Sequence, residues 1–422
     1  MRAAVPAQPM LELSTYKTKG DKQNTPFFEQ NLPKVYERRR SSGLVQLVGG
    51  MAAVVIQVDH GNAIAYMAEL ALMGPYRYRE CWLNESHRIY LLQADPAYPR
   101  LILLEPLSLT YEDETTRWNK MYPLAAANPN ARYIGEIYSS SSCRDVRSVL
   151  EPQNIRFVYP GESSNPFYAM EHLTFTFLSD YTYNRVGYTD VPLDSLAALD
   201  PGDRVVLDDE PLALLAAAAE KHERHGLAGL VMGIDHLATR VLAGDREDAL
   251  LEYLSMVPYY FWGAYNIAEM NSSTNVTRHP GIGDEKQSPA RVFTANNTPS
   301  FLNSFDNLPM PTEDFVRNYG RRMHHIAYEV KDGEIQGEKN VDFVVEVLRD
   351  LGISFLADVV GECTDQPNLK QIFSKASSHS LLITEYVERC LGYDGFFTRE
   401  NVAALTEAAG HAERYEHGHV FD

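Results

Sequence analysis

The 422-residue chain is 45% apolar and 23% charged, ordinary values for a globular protein with room for two domains. Its 57 acidic against 38 basic residues leave a formal charge of −19, which disfavours nucleic acid or an anionic membrane as a partner. No apolar run approaches the ~20 residues of a membrane span. The N-terminus lacks the apolar core of an export signal, so a cytoplasmic location is expected. The four cysteines (Cys81, Cys143, Cys363 and Cys390) form no C-x-x-C pair, so neither a zinc site nor a disulfide framework is indicated.

Residues 1–42 are polar and read as an arm with one short helix. From Met51 to Val58 the pattern is a strand, and Ala63–Met73 has helical spacing. Tyr76–Asn84, Ser86–Gln93 and Arg100–Leu107 then read as strands split by turns. This β-α-β-β-β order recurs. Arg132–Ser139, the helix Ser142–Leu150, Ile155–Tyr159 and Glu171–Leu178 make a second unit. A Pro- and Asp-punctuated stretch leads to a helix, Leu212–His225. The third unit takes Gly233–Val241, the helix Glu247–Met256, Pro258–Ala264 and Arg291–Ala295. The fourth takes Met323–Val330, the helix Val341–Leu351, Ile353–Leu356, Leu369–Ser374 and Leu381–Arg389. Four copies of one unit indicate duplication. The expected fold is α+β: two tandem half-open barrels, each built from paired βαβββ units, with a C-terminal capping helix from Asn401 to about Tyr415. The expected division is an arm (1–42), an N-terminal barrel without metal (43–195) and a C-terminal catalytic barrel (196–422).

The chemistry is read from one carboxylate. Glu385 sits in a short apolar strand, where a charge is costly without a positive partner. The third and fourth units each carry a histidine at the same place in their opening strand, His236 in I-D-H-L-A and His325 in H-H-I-A. Either histidine alone reads as a core residue. Matched positions in a duplicated fold let both point into one barrel beside Glu385. Two imidazoles and one carboxylate are the facial set that leaves open positions on non-haem Fe(II) for O2 and a chelating substrate. His324, the strand neighbour of His325, is expected on the opposite face. The first half lacks the set: no histidine precedes Val58 in its opening strand, and Ile134-Gly135-Glu136 fills the matching region of the second. His172 is expected to be structural.

These segments resemble the 4-hydroxyphenylpyruvate dioxygenase and hydroxymandelate synthase family of the vicinal-oxygen-chelate superfamily. The matches are G-I-D-H-L-A at 233–238, N-N-T-P at 296–299, H-H-I-A at 324–327, L-K-Q-I-F-S-K at 369–375, I-T-E-Y-V-E-R at 383–389 and G-F-F-T-R-E-N at 395–401. The resemblance covers roughly residues 45–415. It implies Fe(II) on His236, His325 and Glu385, and a 2-oxo acid that chelates the metal, loses CO2 and is hydroxylated by O2. It further implies that Gln371, Asn297, Asn401, Phe397 and Ser273 contact or orient the substrate. The chain departs from the family where a second Phe usually follows the helix Asn, since Val402 stands there. The stretch between His325 and Gln371 is short, and a glutamine has no counterpart in Ser300–Met310. These changes put 4-hydroxyphenylpyruvate itself in question as the substrate. A ring-cleaving enzyme of the same superfamily and a non-catalytic small-molecule binder are the alternatives. We expect a homodimer or larger homo-oligomer.

Overall fold

A computed structural model describes residues 13, 16–22, 25–108, 129–281, 288–299 and 310–416 of the chain. Most of the expected arm before residue 16, and the family's missing glutamine region at 300–309, lie outside them.

The strands, in chain order, are β1 (Lys19–Gly20), β2 (Val48–Gln57), β3 (Arg77–Leu83), β4 (His87–Gln93), β5 (Arg100–Pro106), β6 (Arg132–Ser140), β7 (Leu173–Phe175), β8 (Arg185–Thr189) and β9 (Asp203–Val205). The second half continues with β10 (Val231–Arg240), β11 (Tyr260–Ile267), β12 (Ser272–Arg278), β13 (Ala290–Asn296), β14 (Arg322–Val330), β15 (Glu334–Ile335), β16 (Glu338–Lys339), β17 (Asn368–Phe373) and β18 (Ile383–Cys390). One sheet runs β7-β8-β6-β2-β5-β4-β3-β9 and the other β17-β18-β14-β10-β13-β12-β11-β1; β15 and β16 form a separate hairpin. Apart from the last member the two orders coincide strand for strand. The architecture is therefore the expected α+β pair of curled sheets. Helices confirm the repeat. Ala63–Met73 buries Ala63, Tyr66, Met67 and Leu70, and Asn340–Asp350 buries Val341, Val344, Val345 and Leu348, the same spacing along one face.

The two extra strands protect the same exposed edge in each sheet. In the first, β9 pairs with β3, eight residues or more beyond the expected boundary at 195/196. In the second, β1 pairs with β11, so the arm is part of the C-terminal sheet. The arm also holds a 17-residue helix, Thr25–Ser41, not a short one. Its Arg39 is buried and donates to the carbonyls of Leu254 at 2.9 Å and Tyr259 at 2.6 Å. Polar composition and Pro33 hid its length.

Several other expectations change. Ile155–Tyr159 and Ile353–Leu356 are not strands. Each makes one bridge to the sheet edge, Phe157 with Thr176 and Phe355 with Ser374, and turns away. β8 and β12 are absent from the sequence reading because Arg, Gly, Ser, Thr and Asn give no apolar alternation. Yet residues 272–277 of β12 are all buried. Cys363 and Cys390 form a disulfide, with Cα atoms 5.9 Å apart. Close spacing was not required: the segment before β17 folds back along it (Val360 bridges Gln371) and ends beside the last residue of β18. The expectation that the cysteines stay unpaired is thereby corrected. No helix among the described residues is long and apolar enough to cross a membrane.

Two scaffold histidines make stability acid-sensitive. Burial pulls His87 down to about 4. Burial likewise pulls His222 down to about 4, against a partly opposing bond from its ring Nδ1 to the Leu72 carbonyl. Above the unfolded value of ~6.5 both states are neutral and nothing is lost. As pH falls from 6.5 to 4 only the unfolded chain takes the protons. Each histidine should then cost on the order of 3 kcal/mol by pH 4. Urea midpoints measured from pH 7 to 4 should fall, and His222→Gln should flatten that slope while His87 keeps its share.

Candidate metal centre

His236 lies on β10, His325 on β14 and Glu385 on β18, three adjacent strands of the second sheet. The structure brings their ligand atoms to one point. His236 Nε2 is 3.0 Å and His325 Nε2 is 3.2 Å from Glu385 Oε2, and the two nitrogens are 3.3 Å apart. His236 and Glu385 are buried, and the His325 side chain is 12% exposed, towards a cavity. Neither Glu385 oxygen accepts a conventional hydrogen bond from the described residues.

The geometry tests whether a metal fits. Ligand atoms about 2.1 Å from one cation are roughly 3.0–3.4 Å apart, which is the triangle seen here. Two imidazole nitrogens and a hard oxygen, with no thiolate, suit a divalent first-row metal. Electrostatics agree. Burial opposes charge on His236, but the Glu385 and Asp235 carboxylates outweigh it and hold the imidazole up to about 9. Burial, with His236 and Arg240 nearby, pushes His325 well below its ordinary value. Burial raises the Glu385 carboxyl, partly offset by His236. A second cluster of ligand-type atoms, Asp332, Glu388 and Cys390, is otherwise committed: Cys390 is in the disulfide, and Glu388 accepts the Gly333 and Val341 amides.

Strand alternation predicted His324 on the far face, and the register overturns that. Ala238 pairs with His325 but Thr239 pairs with Met323, so His324 is an extra residue, a β-bulge. It turns to the same side. Its Nδ1 is 2.8 Å from His325 Nδ1, and it lines the same cavity. With His325 Nε2 facing the metal position, His325 Nδ1 carries the proton and His324 Nδ1 accepts it. A second bulge lies on β10. Ile234 pairs with Tyr328 and His236 with Ala327, leaving Asp235 as the extra residue beside His236.

The first sheet repeats this register without the two histidines and the glutamate. The pairs Ala53–Ile137, Val55–Gly135 and Ile137–Gly187 correspond to His236–Ala327, Ala238–His325 and Ala327–Glu385. Ala53, Gly135 and Gly187 thus stand where His236, His325 and Glu385 stand in the second. A Cβ on Gly187 would lie 2.6 Å from the Phe175 ring, and one on Gly135 would lie 1.9 Å from the Arg185 carbonyl oxygen. An apolar cluster including Trp82, Phe167 and Phe175 fills the space. His172 pairs with Asp190 at 2.8 Å, remote from any such set.

Of the other expected site residues, Gln371 and Phe397 line the cavity over His325 and Glu385. Gln371 Oε1 is buried and meets no hydrogen-bond partner among the described residues. Phe396 and Phe397 pack edge-on against His236, with ring centres 5.3 and 5.2 Å away. The remaining three are not among the lining residues. Asn401 anchors the capping helix, Arg399–Glu416, by donating to the Leu369 carbonyl at 3.1 Å. Asn297 donates to Asn266 Oδ1 at 2.8 Å. Ser273 is buried one step out of phase with its neighbour Thr274, which lines the cavity facing Thr294. Phe373 also lines it, with its ring 4.8 Å from that of His325. Period-two alternation from Gln371 would have found Phe373; nothing local marks Thr294 or Arg240, which also line the cavity. Val402, Leu405 and Thr406 close it from the capping helix, leaving only about 50 Å³.

No protein-family model and no curated protein matches the chain. Solved structures do. A triple mutant of 4-hydroxymandelate synthase from Streptomyces coelicolor aligns at TM-score 0.58 and 14% identity, over 86% of this chain and 99% of that one. A xylose isomerase-like TIM barrel/4-hydroxyphenylpyruvate dioxygenase fusion protein aligns at 0.52 and 13% identity, over 86% of this chain and 53% of that one, so the chain spans about half of the fusion. At such identity the likeness concerns architecture. The chain has the tandem-barrel fold of 4-hydroxymandelate synthase.

Proposed function

We propose that the protein is an Fe(II)-dependent oxygenase that decarboxylates a 2-oxo acid and hydroxylates the same molecule. The observation that carries this reading is the convergence of His236, His325 and Glu385 on one point of a barrel of this fold. Fe(II) held there supplies O2 activation and an anchor for the oxygens of a 2-oxo acid. The protein's share is placement. Gln371 Oε1, buried with no hydrogen-bond partner among the described residues, is set to accept from a hydroxyl or amide of the substrate. Phe373, Phe397, Val402 and Leu405 give the cavity an apolar wall suited to an aryl or other apolar group, and they exclude water. Val402 in place of a second ring forgoes about 0.5–1.5 kcal/mol of ring-pair energy, which favours a substrate other than 4-hydroxyphenylpyruvate.

About 50 Å³ holds a few waters, whereas ligand pockets are typically about 300–1,000 Å³. Substrate therefore requires the walls, formed by strand side chains and by Val402, Leu405 and Thr406 of the capping helix, to give way. The deciding experiment is anaerobic Fe(II) reconstitution with a panel of 2-oxo acids, watching for a visible charge-transfer band, then admitting O2. Equal O2 uptake and CO2 release is expected for at least one acid. Iron-loaded protein that consumes no O2 across the panel would sink the proposal. O2 uptake on catechols without CO2 would identify a ring-cleaving enzyme instead.

A further inference from the structure

We infer that Asp235 is a positioning residue for the metal centre, fixing His236 through its outer nitrogen, and that Arg389 in turn fixes Asp235. The inference rests on the metal reading of the His236, His325 and Glu385 set.

Neighbouring side chains on a strand point to opposite faces, so an Asp beside a ligating His should face away from it. The bulge at Asp235 removes that constraint, and Asp235 Oδ1 lies 2.7 Å from His236 Nδ1. With Nε2 turned to the metal position, His236 must carry its proton on Nδ1 and donate it to Asp235. That bond sets the ring's tautomer and rotation together.

Asp235 is itself held. Arg389 donates Nη1 to Oδ2 at 2.7 Å and Nη2 to Oδ1 at 3.1 Å, a two-pronged grip that lets the carboxylate turn neither way. Arg389 follows Glu385 by four residues on β18, hence on the same face. One strand therefore presents a ligand to the metal position and a guanidinium to the carboxylate behind the opposing ligand. The circuit Glu385, His236, Asp235, Arg389 closes on itself. Arg389 Nη2 also reaches the Phe396 carbonyl at 3.3 Å, and its guanidinium lies 5.2 Å over the Phe396 ring, which packs on His236. His325 has no such support, because its outer nitrogen meets the imidazole of His324. The two histidines are thus unequal, and His236 is the one whose orientation the protein controls by charge.

The test uses Co(II) as probe on the full chain stripped of metal, with affinity read from the visible absorption of the bound ion. Asp235→Asn should weaken Co(II) binding roughly 10- to 100-fold. Arg389→Gln should weaken it in the same direction, and the double variant should be no weaker than Asp235→Asn, since Arg389 acts through Asp235. A salt bridge that merely braces the fold would lower the melting temperature of the metal-free protein and leave Co(II) affinity unmoved. Binding by Asp235→Asn within twofold of the parent overturns the inference; if that variant does not fold, unchanged affinity in Arg389→Gln does so. His236→Ala separates the two levels. Full Co(II) binding by that variant defeats the metal reading itself, whereas its loss alongside an unaffected Asp235→Asn defeats the positioning role alone.

Discussion

Glu385→Gln should bind Co(II) or Fe(II) roughly 100- to 1,000-fold more weakly than the parent and lose O2-dependent turnover, while melting within a few degrees of it. Four-ligand zinc sites gain about 10–16 kcal/mol from the ion, so one ligand's share is on the order of 3 kcal/mol. Glutamine keeps the shape of the side chain, so no cavity opens among the buried atoms around it. The loss of attraction to His236 is offset by relief from burying the Glu385 carboxylate, and Asp235 remains beside the imidazole as its counter-charge. Calorimetric titration of metal into the metal-free protein and a thermal melt of the same sample measure both halves. Parent-like affinity in the variant would remove Glu385 from the ligand set.

The second large effect lies between the barrels. Arg291 on β13 and Glu136 on β6 form a salt bridge across the two halves, with the side chains 2% and 1% exposed. The guanidinium also reaches the Leu237 carbonyl at 3.4 Å and lies 5.1 Å over the Phe293 ring. Glu136→Gln leaves that cation buried without its counter-charge and should cost about 3–5 kcal/mol. The double variant Glu136→Leu, Arg291→Met removes both charges and should recover most of the loss, since buried pairs gain little over apolar replacements of like volume. Urea unfolding of the three proteins checks this. A single variant that loses less than about 1 kcal/mol would mean that water already reaches the pair.

The sheets and the convergence of three side chains were legible because repetition supplies what a single strand cannot. One histidine on an apolar strand says little, but His236 and His325 in matched slots, with Glu385 stranded among apolar neighbours, define a centre. What stayed hidden depends on the partner strand. A bulge is a mismatch between two strands, and no local pattern announces it, so alternation puts His324 on the wrong face and turns Asp235 away from His236. The Cys363–Cys390 bond joins residues 27 apart in the sequence that meet only after β17 has doubled back. β12 reads as a turn because its Ser, Thr and Asn are buried for reasons of pairing, not polarity.

The register shifts beside His236 and His325 occur also in the first barrel, where Ala53, Gly135 and Gly187 offer no side-chain ligand atom. Their backbone shape therefore does not arise from coordination. In small zinc modules the ion and the fold arrive together, and chelation unfolds the chain. If the His236, His325 and Glu385 set holds a metal, the chain can complete its topology without that ion, and loading is a binding step on a finished protein. Folding would then come first and loading second, with metal supply setting how much of the folded protein is loaded and not how much folds.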